Sequence, residues 1–250
     1  MPANKGIDNA QLVQLNQDDS AIADHTQGET FNFPTTVTPP LTVPDGHEMW
    51  FGSGNAPTNY NTTTNGTLES GLKVHLRGGA DVLPTSSGPN SEQVYNVPGG
   101  LQPGSTTRAD WNFDYVATTA ANNDLSGTPQ LSAEDFRMQI SVSSPSFVGQ
   151  HTAVFDLNPD THVWTDAATG DAFGGDDFNQ PGASPALMAR VAENSVNVAF
   201  GSIDHALDLT PAQAVAAGTT YDIKEVAFAA GSPHMNLFTH DVINVVAPTA

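Results

Sequence analysis

Between Phe155 and Phe178 the chain reads FDLNPDTHVWTDAATGDAFGGDDF, with acids at Asp156, Asp160, Asp166, Asp171, Asp176 and Asp177. No Lys or Arg occurs from Met138 to Ala189 to neutralise them. Crowded carboxylate, amide and carbonyl oxygens suit a hard cation, and Ca²⁺ takes about six to eight of them at ~2.3–2.6 Å. Asp156, Asn158 and Asp160 alternate in a way that would place three oxygens round one ion. Asp166, Asp171, Asp176 and Asp177 would form a second site, with Gly170, Gly174 and Gly175 permitting tight turns. The spacing is not that of an EF-hand loop. The competing reading is a set of solvated turn aspartates.

Aromatic side chains offer a second chemistry. Trp50 and Trp164 stand beside turn residues, where an indole either lids the core or stacks on a sugar ring. Trp111 belongs to an alternating apolar stripe and is expected in the core. Other chemistries find little support. The histidines at 25, 47, 75, 151, 162, 205, 234 and 240 include no HExxH pair, and Ser195 lies in ENSVN, which is no nucleophile elbow. Glu48, Glu69, Glu134, Glu193 and Glu225 are available as a glycoside-cleaving pair, but most flank strands rather than sit at inward parity. We expect no enzyme.

Period-two segments must carry these groups. In TLESGLKVHLR, Leu68, Leu72, Val74 and Leu76 share one parity while Glu69, Lys73, His75 and Arg77 share the other, which predicts a half-buried strand. RADWNFDYVATT sets Trp111, Phe113 and Tyr115 against Asn112 and Asp114. EDFRMQISV and HTAVFDL alternate likewise, and VNVAF is expected to place Val196, Val198 and Phe200 on one face. TTYDIKEVAFA predicts a strand bulged near Lys224, because Tyr221/Ile223 and Val226/Phe228 differ in parity. NLFTHDVINVVA closes the domain. TPAQAVAAG is the one helix signal, with Thr210 as N-cap, Pro211 at the first helical position and Gly218 as stop. Many short strands, one short helix and no βαβ rhythm predict an all-β antiparallel sandwich or jelly roll. Residues 1–30 read as a flexible or assembly arm, and 31–250 as one sandwich domain.

Composition bounds the partners. Of 250 residues, 7 are Lys or Arg and 27 are Asp or Glu, a net charge of −20. A phosphate backbone would be repelled, so nucleic acid is excluded as a partner, and anionic membrane surfaces are disfavoured. No run approaches the ~20 apolar residues of a membrane span. There is no cysteine, hence no disulfide or thiolate site, and bound calcium is the expected staple of an exported chain. Residues 1–20 lack the apolar run of a signal peptide.

The stretches WFGSGN…LESGLKVHLRG, RADWNFDYVAT and VWTDAATGDAFGGDDF…VAENSVNVAF resemble bacterial secreted β-sandwich domains of unassigned activity. Such domains occur in calcium-rich exported proteins of the type I secretion kind and in sorting-anchored surface proteins. The resemblance implies an extracellular sandwich and supplies no catalytic residues; the calcium-repeat array and sorting anchor are not found in this chain. The expectation is therefore a secreted or cell-surface structural or adhesive protein, stabilised by Ca²⁺ and self-assembling as a homo-oligomer or with other surface components. A carbohydrate-binding module using Trp50 and Trp164, with a glycan as partner, is the second expectation, and a glycan-cleaving hydrolase the third.

Overall fold

A computed structural model describes residues 26–27, 41–42, 48–49, 61–65, 68–76, 82–87, 92–119, 130–175, 190–229 and 235–247. In chain order the strands are β1 (Thr26–Gln27), β2 (Leu41–Thr42), β3 (Glu48–Met49), β4 (Asn61–Asn65), β5 (Leu68–Leu76), β6 (Ser86–Ser87), β7 (Gln93–Pro98) and β8 (Trp111–Thr118). They continue as β9 (Glu134–Ser143), β10 (Gln150–Asn158), β11 (Val163–Asp166), β12 (Ala172–Gly174), β13 (Val191–Val196), β14 (Thr220–Ala229) and β15 (Met235–Val246). Two one-turn helices, α1 (Ile203–Ala206) and α2 (Pro211–Ala214), lie between β13 and β14.

The strands form a β-sandwich. One sheet has the order β1-β4-β5-β8-β13, the other β12-β11-β10-β9-β14-β15-β7-β6, and β2-β3 is a separate ribbon. All pairings are antiparallel except β7 with β15. Alternation along the strands explains the core. Leu72 and Val74 of β5 meet Tyr115 and Phe113 of β8, while Met138 and Ile140 of β9 line the facing sheet. Aromatic rings bridge the layers: Trp111 meets Tyr221 edge-on at 5.8 Å, and Tyr115 meets Trp164 at 5.5 Å. Burial of each such side chain stabilises the fold by roughly 1.5–3 kcal/mol.

Four features depart from the sequence expectation. First, β5 is not half-buried. Its odd face is covered too, and Lys73 and His75 reach Asp114 there, Nζ to Oδ2 at 3.3 Å and Nδ1 to Oδ2 at 2.8 Å. Second, β13 stops at Val196; Val198 turns into the core while Phe200 is left 49% exposed. Third, the register of β14 shifts at Ala227/Phe228, not near Lys224. Tyr221, Ile223 and Glu225 therefore share the inward face, so that an acid lies inside the sandwich. Fourth, α2 is a single turn. Its start is as expected, a capping box in which Thr210 Oγ1 accepts from the Gln213 backbone N–H and Gln213 Oε1 accepts from that of Thr210. Thr26–Gln27 pairs with Thr63–Thr64; the rest of the expected N-terminal arm lies outside the described residues.

Candidate functional site

The acidic hairpins are held by partners within the chain. Asp156 lies on the sheet face opposite Arg137, with Nε to Oδ1 at 2.9 Å. Burial raises its carboxyl above the usual range, and the guanidinium works in the other direction. Asn158 Oδ1 accepts from the backbone N–H groups of Asp160 and Thr161, closing the β10–β11 turn on which Asp160 is exposed. Asp166 is buried; its Oδ1 accepts from Ala168 N–H and its Oδ2 from the Thr169 hydroxyl, closing the β11–β12 turn. Asp171 Oδ2 meets His205 Nδ1 at 2.6 Å. The Thr169 hydroxyl and His205 hold Asp171 below the usual carboxylate range, and Asp171 in turn raises His205. Among the described residues no three of His, Cys, Asp or Glu converge to hold a metal ion. Asp176 and Asp177 lie outside the described residues.

Trp164 is not a ligand platform. It is fully buried between Tyr115 and Phe173, which corrects the expectation of an indole open to a sugar ring. The alternation of β11 places it inward, opposite Leu157. Trp50 lies outside the described residues. Trp111 is in the core as expected.

The opening in the sandwich lies elsewhere. β12 ends the larger sheet, β13 ends the smaller one, and between these edges is a cleft of about 480 Å³. One wall is Ala172–Gly174, the other Asn194–Val196, with Asn112 beside it. Gln102 and Arg108, from the loop before β8, and Phe200 and Ser202, from the turn before α1, complete the lining. Asn194 Nδ2 donates to Gly175 O and ties the two edges together at 3.0 Å. Gly174 has φ +82°, and a Cβ there would strike the Tyr115 hydroxyl, so the close approach of β12 depends on this glycine.

Asn197 fixes the loops around the cleft. Its Oδ1 accepts from Ala109 N–H at 2.8 Å, and its Nδ2 lies 3.0 Å from both Ala109 O and Trp111 O and 2.7 Å from Asn112 Oδ1. One buried amide thus clamps the entry of β8 to the exit of β13. That clamp brings Arg108 over the Phe200 ring, 5.2 Å from its centroid.

Comparison with family models, with curated proteins and with solved structures found no match. The cleft is therefore read from its own chemistry.

Amides at 102, 112 and 194, hydroxyls at 195 and 202, one guanidinium and an exposed ring line it. These groups donate and accept hydrogen bonds beside an apolar face, as hydroxyl-rich rings require. No carboxylate or imidazole is among the lining residues. Sequence reasoning missed this site because it assigned Phe200 to a strand. The available signal was Asn197, a poor strand residue, followed by Phe200-Gly201-Ser202.

Of the five glutamates weighed as catalytic, Glu225 faces the interior, wholly buried and near Ser70. Burial raises its carboxyl well above the usual range, with only the Ser70 hydroxyl acting the other way. Among the described residues neither carboxyl oxygen accepts a hydrogen bond, so proximity to Ser70 does little to offset the burial. Glu225 does not line the cleft.

Proposed function

We propose that the protein is an adhesive β-sandwich of the cell exterior that holds a saccharide in the cleft between β12 and β13. The observation that carries this reading is the exposed Phe200 ring, which has Arg108 over it and shares the cleft lining with amides and hydroxyls. An apolar ring face with fixed donors and acceptors around it matches the two faces of a sugar, which presents C–H groups on one side and hydroxyls at its rim. The reading is one of binding rather than cleavage, since a hydrolytic pair needs two carboxylates roughly 5–9 Å apart flanking the ligand. The exterior setting rests on the composition: net charge −20, no cysteine and a wealth of Asn, Thr, Ser and Gly.

Calcium belongs to the same proposal in a narrower role. The exposed Asp160, with Asp176 and Asp177 of the following segment, lies in a stretch without Lys or Arg, and Ca²⁺ between such carboxylates would relieve repulsion within or between copies. Assembly into layers or filaments would follow from bridging of this kind.

The test is a glycan array probed with the wild type and with Phe200→Ala. The expected result is binding to a restricted set of saccharides, weakened about tenfold or more by loss of the ring. An array without hits, or hits that Phe200→Ala leaves unchanged, would overturn the proposal.

A further inference from the structure

We infer that the saccharide is acidic: a sugar ring bearing a carboxylate, received by the guanidinium of Arg108. This rests on the cleft being a saccharide site and goes on to name the class of ligand.

In a chain with 7 basic and 27 acidic residues, a cation without an acidic partner stands apart. The other cations whose contacts are known are spent on acids. Lys73 lies against Asp114, Arg137 against Asp156, and Lys224 against Asp222 with Nζ to Oδ1 at 3.6 Å. Arg108 is different. Among the described residues it forms no ion pair, and its guanidinium lies over the Phe200 ring at the mouth of the cleft. Contact with the ring holds the guanidinium beside the other lining residues without spending its N–H groups. Such a fork fits the two oxygens of a carboxylate.

Asp171 adjoins the lining residue Ala172, and its carboxylate is held by His205. An incoming carboxylate is favoured at Arg108, the one cation among the described lining residues. Asn112 and Asn194 each keep a second amide N–H and a second carbonyl lone pair beyond their internal hydrogen bonds for the sugar hydroxyls. Asn112 Nδ2 donates to Ser195 Oγ at 2.7 Å, which leaves the Ser195 O–H to donate.

The inference separates from its parent reading in one experiment. Oligogalacturonate and its fully methyl-esterified form share ring, linkage and hydroxyls and differ in charge. Calorimetric titration of the wild-type protein with both is expected to show the acid form bound about tenfold more tightly, the factor that ~1.4 kcal/mol of charge-assisted hydrogen bonding provides. Arg108→Gln should erase that difference and leave weak binding of the ester in place; Arg108→Lys should restore part of it without the bidentate geometry. Arg108 is exposed, so an unchanged thermal melt is expected for both variants.

Equal affinity for acid and ester overturns the inference while sustaining a neutral-sugar site. A preference for the acid that survives Arg108→Gln overturns it as well, placing the charge contact elsewhere. An acidic peptide bound in preference to either oligosaccharide, or no binding of either form, overturns both the inference and the saccharide reading.

Discussion

Two buried acids are opposite cases of one problem. Asp114 lies on the covered face of β5–β8 with Lys73 and His75 beside it. Removing one partner of a buried charge pair strands the other, and the typical cost is ~3–5 kcal/mol. Asp114→Ala should therefore destabilise by about 3 kcal/mol, read as a shift of the urea midpoint without change of slope. Among the described residues Glu225 has burial without a compensating cation. Its folded form retains a proton that the unfolded chain releases above the ordinary glutamate value of 4.5. The sign follows: its contribution is most favourable below that value and declines as pH rises toward the folded one. Each unit of difference costs ~1.4 kcal/mol. Glu225→Gln should stabilise the protein at neutral pH by about 1 kcal/mol or more and flatten the fall in stability from pH 4.5 to 8 in urea titrations. A Gln variant less stable than the wild type at pH 7 would show that the carboxyl has a partner the geometry does not reveal.

At the scale of elements, the cleft exists because two sheet edges stop short of each other. β12 is three residues long and ends in Gly174 and Gly175, both with positive φ. Gly174→Ala combines a strained backbone with a collision against Tyr115, and a cost of about 1–3 kcal/mol is expected, with weakened ligand binding as β12 is displaced. Asn197→Ala removes the amide that joins the loop before β8 to the turn after β13. It should destabilise by about 2 kcal/mol and loosen Phe200, measured as faster amide exchange at 198–202.

The strands themselves were legible in the sequence because one face of each is apolar: that parity of β8, β9 and β10 supplies the core, although burial alternates along the strand only in β10. The cleft was not, since its residues come from strand ends and turns whose convergence is tertiary. Phe200 was misassigned by extending an alternation one step past Val198, and the register shift of β14 lies three to four residues later than parity suggested, so that Glu225 keeps the inward parity of Tyr221 and Ile223. Of the two readings of Trp164, the core one holds and the ligand platform does not. A tryptophan near turns in sequence is still placed inward when its strand alternates.

For the whole molecule, a net charge of −20 on 250 residues makes counter-ions part of the energetics whatever the cleft binds. The proposed calcium role predicts a higher melting temperature, and a larger species by light scattering, in millimolar Ca²⁺ than in chelator. Identical traces in the two buffers would remove calcium from the account and leave the cleft untouched. The central claim is the cleft, and its most direct test is an amide chemical-shift titration with oligogalacturonate. The account predicts shifts gathered at 102–112, 172–175 and 194–202. Shifts centred on the β10–β11 turn or the outer face of the larger sheet, or none at saturating ligand, would contradict it.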